Sequence, residues 1–128
     1  MNIIKKIIIC MLISIVILSC SKDNAIQFCE GVDNDGNGVR CGKKFTTGDL
    51  TGVINSVKPF EAESLILKII HIEKNSKIVD KTIDLKVERE KNRVNTTLYF
   101  PNSGNYKVEI FREDALFAEG PIEIIDTL

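Results

Sequence analysis

The sequence has little of what enzymes commonly use for chemistry. It contains one histidine, His71, and this residue stands in the most apolar of the predicted strands. It has no nucleophile elbow of the Gly-x-Ser-x-Gly type, no phosphate-binding glycine loop and no histidine-containing metal pair. We therefore expect His71 to be a satisfied, buried imidazole rather than a catalytic base, and the protein not to be an enzyme.

Clustered positive charge is also missing. The chain has 17 Lys and Arg against 18 Asp and Glu. Removing residues 1–19, which contain two lysines and no acid, leaves 17 − 2 = 15 basic residues against 18 acidic ones, a net charge of −3. The most highly charged segment, 88–93, mixes both signs and is typical of a solvated hairpin turn. Because nucleic-acid binding needs Lys and Arg grouped on one face, we expect no nucleic-acid partner.

No apolar run is long enough for a permanent helical membrane span. The longest, Ile7–Leu18, has 12 residues that include a single serine. At about 1.5 Å per residue it is roughly 18 Å long, short of the roughly 30 Å hydrocarbon layer. Lys5 and Lys6 precede it and Cys20 follows closely, which is the layout of a secretory signal. We predict that residues 1–19 are removed, leaving 128 − 19 = 109 residues and room for one domain.

The end of this segment, Ile17-Leu18-Ser19-Cys20, resembles the lipobox of bacterial lipoproteins, with Ile17 in place of the usual Leu and a bulkier residue than usual at Leu18. The resemblance implies cleavage before Cys20, a thioether-linked diacylglycerol on its sulfur and a third acyl chain on its new amino group. Two or three such chains hold a protein on the bilayer, because each buried methylene contributes about 0.8 kcal/mol. The residue directly after the cysteine is Ser21 rather than Asp, and in this the chain resembles lipoproteins that are sorted to an outer membrane. The alternative is an ordinary signal peptide with a cysteine beyond its cleavage site.

Cys29 and Cys41 are the other cysteines of the mature chain. Export takes them to a compartment where disulfides form, so we expect them to pair. The closed loop of about thirteen residues should stabilise the fold by roughly 3 kcal/mol. Zinc is disfavoured because it needs four ligands and His71 lies in a distant strand. Residues 20–44 are thus expected to form a lipidated tether and a disulfide-closed loop ahead of the main domain.

Part of this loop looks like the first half of an EF-hand-type calcium loop. Asp33, Asp35 and Asn37 place side-chain oxygens at alternate positions, and Gly38 stands at the sixth position, where such a loop turns. The position of the bidentate Glu holds Lys44 instead, so a calcium site would need a further oxygen from elsewhere in the fold. The alternative is a polar turn, since Asn, Asp and Gly are also preferred turn residues.

Residues 45–128 predict an all-β domain, with short strands between turn signals and no useful helix-period segment. Strands are expected at 46–57, 64–72, 82–87, 94–100, 106–110, 115–118 and 122–125. The second is nearly continuous in apolar residues and is expected to be central and buried on both faces. In the fifth, Tyr106, Val108 and Ile110 should point inward together. The regular turns favour a small antiparallel β-sandwich.

The turn Pro101-Asn102-Ser103-Gly104 predicts a hairpin between the strands at 94–100 and 106–110. The stretch 100–111 resembles the closing hairpin of immunoglobulin-like bacterial modules, in which a Pro or Gly turn precedes a Tyr-x-Val strand. This resemblance implies an immunoglobulin-like sandwich but no ligand, because a fold alone does not fix function. Gly120-Pro121 cannot lie in a central ladder and indicates a bulge or an edge.

These observations predict a noncatalytic lipoprotein of the cell envelope, anchored in a lipid bilayer through acylated Cys20 and sorted to the outer membrane. Its sandwich would present strand edges and loops to an envelope protein or a surface polymer. Two alternatives stay open. One is a calcium-stabilised adhesion or spacer module, and the other is a periplasmic or surface enzyme, or an enzyme inhibitor, with a pocket lined by clustered carboxylates.

Overall fold

The computed structural model describes residues 24–126. The predicted signal peptide, the lipobox-like motif and Cys20 lie outside this range. The described strands are β1 (Asn24–Val32), β2 (Gly38–Gly42), β3 (Lys44–Thr46), β4 (Gly48–Ser56), β5 (Ser64–Glu73), β6 (Ser76–Lys86), β7 (Arg93–Phe100), β8 (Gly104–Arg112) and β9 (Ala115–Ile125). Over the same residues, no helix has the length and apolar character needed to cross a bilayer.

The strands form two sheets that pack face to face. Sheet A has the order β2-β1-β4-β7, and sheet B has the order β3-β9-β8-β5-β6. All neighbouring strands are antiparallel except β3, which pairs with the end of β9 in parallel over three residues. The predicted all-β, immunoglobulin-like sandwich is confirmed.

The core lies between the two sheets because the strands alternate apolar and polar residues. Tyr106, Val108 and Ile110 of β8 all point inward and are almost fully buried, as predicted. At one end, Phe60 from the β4–β5 connection packs on Phe117 with 6.0 Å between ring centroids. The other large core residues include Phe28, Leu50, Ile54, Leu65, Leu67, Ile69, Leu98, Phe100, Ile122 and Ile124.

Strand β5 was predicted to be buried on both faces, and this is wrong. Leu65, Leu67 and Ile69 are buried, whereas the alternate residues Ile66 and Lys68 are half-exposed. A sandwich has only two layers, so each strand buries one face and leaves the other toward solvent. Lys68 lies over the ring of Phe111 at 5.0 Å and covers part of that outer face.

The predicted hairpin at Pro101–Gly104 is also wrong. Strand β7 belongs to sheet A and β8 to sheet B, so this turn carries the chain from one sheet to the other. The hairpin turn predicted for residues 88–93 is wrong for the same reason, because the connection 87–92 joins β6 of sheet B to β7 of sheet A. The alternation of apolar and polar residues shows which face of a strand is buried. It does not show whether two successive strands pair in one sheet or lie in opposite sheets across the core.

The segment 24–44 is part of the sandwich rather than a tether and loop ahead of it. Strand β1 lies inside sheet A and pairs with both β2 and β4. In β1, the side chain of Phe28 lies in the core, and the partly buried Ile26 packs against the core. The Gly120-Pro121 pair lies on a stretch of β9 that β3 does not reach, so β9 has one strand neighbour there, which agrees with the predicted edge.

Candidate functional site

The predicted disulfide between Cys29 and Cys41 is confirmed. The two residues lie opposite each other on β1 and β2, with 3.9 Å between their Cα atoms. Cys29 is fully buried and Cys41 is exposed. The bond therefore links a strand inside sheet A to the strand at its edge.

The β1–β2 hairpin folds back across the outer face of sheet A. Val53 of β4 alternates with the core residues Leu50 and Ile54 and points away from the core, yet it is only 1% exposed. The tip of the hairpin reaches β7, where Asn37 Oδ1 accepts a hydrogen bond of 2.9 Å from Arg93 Nη1. Because β7 is the edge of sheet A opposite β2, the hairpin spans the sheet and covers Val53.

Gly38 allows the hairpin to close over the disulfide. A Cβ atom at this position would lie 2.4 Å from Cys29 Sγ and 2.5 Å from Cys41 Sγ, far inside van der Waals contact. The sequence suggested a different role for this glycine, at the turning position of a calcium loop. In the structure it makes room for the two sulfur atoms.

The loop between β1 and β2 is organised by the carboxylate of Asp33. Its Oδ1 atom accepts hydrogen bonds of 2.9 Å from the backbone N–H groups of Asp35 and Asn37. Gly36 has φ of 82° and donates its N–H to the Asp33 carbonyl. The backbone N–H of Asn37, and to a smaller extent that of Asp35, lowers the pKa of Asp33. This is the geometry of the polar turn expected as one alternative for this segment.

Two of the three predicted calcium ligands, Asp33 and Asn37, have side-chain oxygens that are already engaged with the protein. Asp33 Oδ1 accepts the two backbone bonds, and Asn37 Oδ1 accepts from the cationic Arg93. Glu30, a possible additional ligand, pairs with Arg40 at 3.2 Å. Across residues 24–126, no three His, Cys, Asp or Glu side chains are grouped as a metal site. The calcium site at Asp33, Asp35 and Asn37 stays a prediction.

Arg93 is the residue that sequence reasoning missed. Its Nε donates to Asn55 Oδ1 at 2.9 Å and its Nη1 donates to Asn37, so it ties the hairpin tip to two strands of sheet A. In the sequence it was only one charge in a mixed segment. The sequence could not predict this role because the contact is long-range: Arg93 and Asn37 are 56 positions apart.

A groove of about 600 Å³ lies beside Arg93, between the hairpin tip and the β6–β7 connection. Its charged residues are Asp35, Lys86, Glu88, Lys91 and Arg93, and its apolar side is formed by Phe60, Val87 and Val94. Cations outnumber carboxylates by three to two. The groove therefore suits a polar or anionic group, and it lacks the clustered carboxylates expected of a hydrolase pocket.

His71 lies at the opposite end of the sandwich and is not fully buried, since 29% of its side chain is exposed. Its ring stacks on Tyr106 with 4.8 Å between centroids, and its Nδ1 atom is 3.8 Å from Glu73 Oε1. The Tyr106 hydroxyl donates to the carbonyl of Asn102 at 2.9 Å, and burial raises the pKa of Tyr106. This contact resembles the tyrosine corner of immunoglobulin-like domains, which also lies where the chain changes sheets.

Comparison with known proteins supports the fold. No protein-family model and no curated protein sequence matches this chain. Among solved structures, the chain is similar to the soluble domain of PmoD from Methylocystis sp. ATCC 49242 (Rockwell), with a TM-score of 0.51 and 16% sequence identity. The match covers 80% of this chain and 90% of that one. At this identity the likeness shows the fold alone, that of a disulfide-closed, immunoglobulin-like sandwich.

Proposed function

We propose that this protein is a noncatalytic lipoprotein of the cell envelope, held on the membrane by acyl chains on Cys20. The observation that carries the proposal is a disulfide-closed sandwich whose first strand begins at Asn24, four residues after that cysteine. A disulfide is typical of exported domains, which agrees with the export signal proposed for residues 1–19. The membrane proposed is the outer membrane, on the basis of Ser21.

A binding or structural role is supported by the surfaces of the sandwich. Strand β7 is an edge of sheet A, has no charged side chain from Val94 to Phe100, and carries Tyr99 with 54% of its surface exposed. Edge strands without charges are sites where another chain can add a strand. The groove beside Arg93 offers a second, more polar surface. The partner we propose is an envelope protein or a surface polymer.

A noncatalytic role is supported by the environment of the groups that could act in catalysis. The ring of His71 is stacked on Tyr106, and its nearest carboxylate is 3.8 Å away. In the groove, the two carboxylates Asp35 and Glu88 stand among three cations.

The proposal is tested by lipid labelling in the native host. Cells producing the wild type, Cys20→Ala or Cys10→Ala are fed an alkyne fatty acid, and the label is read on the purified protein. Cys20→Ala should lose the label, while Cys10→Ala, which changes a cysteine in the segment to be removed, should keep it. The label decides because an uncut signal segment could retain Cys20→Ala on the membrane without lipid. A labelled Cys20→Ala protein would contradict the proposal.

A further inference from the structure

Sheet B has one strand more than sheet A, and its last strand, β6, extends past the edge of sheet A. Strand β1 packs on β9, since a Cβ atom at Gly120 would lie 3.1 Å from Ile26 and 3.4 Å from Phe28. Beyond this facing pair, sheet A continues with β4 and β7, whereas sheet B continues with β8, β5 and β6. In the described part of the chain, β6 therefore has no strand of sheet A opposite it.

The inner face of β6 is apolar and is left partly uncovered. Leu65 and Leu67 of β5 point into the core and are fully buried. Their partners on β6 are Leu85 and Ile83, which lie on the same face of the sheet but are only partly buried. Because directly opposite residues differ in this way, the cover that sheet A provides ends between β5 and β6.

Ile78 continues the apolar row toward the other end of β6. It pairs with His71, which in turn pairs with the inward-pointing Tyr106, so Ile78 lies on the inner face. Its side chain is 51% exposed. Asp80 and Lys81 interrupt the row at the bulge of β6. Their charges are opposite, so the row as a whole carries no net charge.

The edge of β7 presents backbone hydrogen-bonding groups beside this row. Ser56 N donates to Asn92 O at 2.8 Å, so this opposed pair of residues is hydrogen-bonded. Hydrogen-bonded and non-hydrogen-bonded pairs alternate along an antiparallel ladder. The N–H and C=O groups of Asn95, Thr97 and Tyr99 therefore point away from β4, which is the strand that β7 pairs with in the described sheets. They are free to pair with an added strand.

The edge of β7 and the inner face of β6 together form a slot of the size of one strand, here called the β6–β7 slot. An extended segment of seven residues, about 0.8 kDa, exposes about 1,100 Å². Covering one of its edges and one of its faces removes about half of this from water, with a similar area of the slot, a total in the range of weak, reversible interfaces. The wall of the slot is Asn95, Thr97 and Tyr99, and its floor is Leu85, Ile83 and Ile78.

A second copy of the protein does not fit the β6–β7 slot through its own β7. Two identical edge strands pair antiparallel about a two-fold axis perpendicular to the sheet, which places both copies of sheet B on the same side. Each β6 extends one strand past its own β7, so the two β6 strands would occupy the same space. A single extended segment brings no second layer and meets no such obstacle.

We propose that the β6–β7 slot binds one extended segment of another envelope protein, which adds a fifth strand to sheet A. Alternate residues of the segment are apolar and pack on the floor of the slot. The segment needs no net charge, because β7 is uncharged from Val94 to Phe100, the floor is neutral, and the groove beside Val94 contains charges of both signs. This inference rests on the binding role proposed above and names its surface and the chemistry of its partner.

The test uses peptides selected from a random phage-displayed library on the full-length protein in phosphatidylcholine discs, after removal of phage that bind empty discs. Enriched peptides should have apolar residues at alternate positions. With the most enriched peptide added, amide hydrogen exchange should slow about tenfold at Asn95, Thr97 and Tyr99, and much less at Thr96 and Leu98, whose N–H groups already face β4. Failure to enrich any peptide, or binding that leaves the three edge amides unprotected, would overturn the proposal.

Two neighbouring residues of β6 provide matched variants. Ile78→Asp places a charge on the floor of the slot and should weaken peptide binding at least several-fold. Val79→Asp makes the same change on the outer face of the same strand, at a valine that is 54% exposed, and should leave binding intact. Equal effects of the two variants would contradict the assignment of the floor.

Two further outcomes separate this inference from the rest of the account. Protection of the edge amides without peptide, rising with protein concentration, would show that a second copy occupies β7 and would overturn the proposed occupant. A protein that carries lipid on Cys20 but binds no peptide would overturn the slot alone. Peptide binding by a protein without lipid on Cys20 would overturn the proposed anchor and support the slot, so the two failures are distinguishable.

Discussion

At the scale of single residues, a few contacts hold the hairpin against sheet A. Arg93 links the hairpin tip to β4 and β7, Asp33 organises the turn, and Gly38 leaves space for the disulfide. The hydrogen bonds of Asp33 and Arg93 involve exposed atoms, whereas Gly38 lies against the buried Cys29 of the outer face of sheet A. Their loss should therefore loosen the hairpin while the two packed sheets persist.

Replacing Gly38 by alanine should destabilise the protein, whereas the same change at Gly42 should not. The new Cβ at residue 38 would overlap both sulfur atoms, while at residue 42 no heavy atom lies within 4 Å of it. Both glycines belong to β2. We expect Gly38→Ala to lower the free energy of unfolding by about 1–3 kcal/mol in denaturant titrations. Equal stability of the two variants would show that the hairpin does not close over the sulfurs as described.

The Asp33 carboxyl should titrate below its ordinary pKa of 3.8. The backbone N–H groups of Asn37 and Asp35 favour its ionised form, so the pKa is lower in the folded state than in the unfolded state. The resulting stabilisation is fully present above pH 3.8 and is lost as the pH falls through the folded pKa. Carboxyl carbon NMR shifts measured against pH, with a short Asp peptide as reference, check the prediction. A midpoint at or above the peptide's value would refute it.

At the scale of strands and hairpins, the disulfide is the main covalent constraint. It joins residues 12 apart in sequence and holds an edge strand whose side chains are largely exposed. Without it, β2 would be held mainly by its backbone pairing with β1 and by the contact between Asn37 and Arg93.

Removing the disulfide should lower stability without unfolding the sandwich. In the chain-entropy picture, closing a loop of this length contributes about 3 kcal/mol, so Cys29→Ala/Cys41→Ala should lower the free energy of unfolding by about that amount. A thiol reductant should have a similar effect on the wild type and none on the double variant. Anchoring through Cys20 should not change. A double variant as stable as the wild type would mean that the loop is already ordered when unbridged.

Calcium removal tests the remaining hypothesis about the hairpin turn. Since Asn37 Oδ1 accepts from Arg93, and that cation would repel Ca²⁺, we expect thermal unfolding to be the same in calcium and in chelator. The alternative, a calcium-stabilised module, predicts a calcium-dependent rise in melting temperature that Asp35→Asn abolishes. Calorimetric scans of the two proteins under both conditions distinguish these outcomes.

The sequence was sufficient to place most strands and the disulfide, but not the pairing of strands. Alternation predicted the inward residues of β8, since period-two burial is a local property. It could not show that β7 and β8 lie in different sheets, because that depends on contacts between distant segments. The roles of Gly38 and Arg93 could not be predicted for the same reason, because both depend on the hairpin folding back over Val53.

At the scale of the whole molecule, the protein is a two-layer sandwich with two distinct ends. One end carries the connections 57–63 and 87–92 and lies beside the start of β1 at Asn24. The opposite end carries the β5–β6 turn, the Pro101 turn and His71. Under the proposed function, that opposite end and the uncharged edge β7 are the surfaces available to a partner. The sequence predicts an anchor, whereas the choice of partner depends on surfaces that only the folded arrangement creates.

The central claim is that acyl chains on one sulfur atom keep this domain at the membrane. Intact-mass spectrometry of the protein extracted from the membranes of its native host tests it most directly. The account predicts a chain that starts at Cys20 and is heavier than its amino-acid sequence by a diacylglycerol and a further acyl group. A chain that still starts at Met1, or one whose Cys20 carries no lipid, would contradict it.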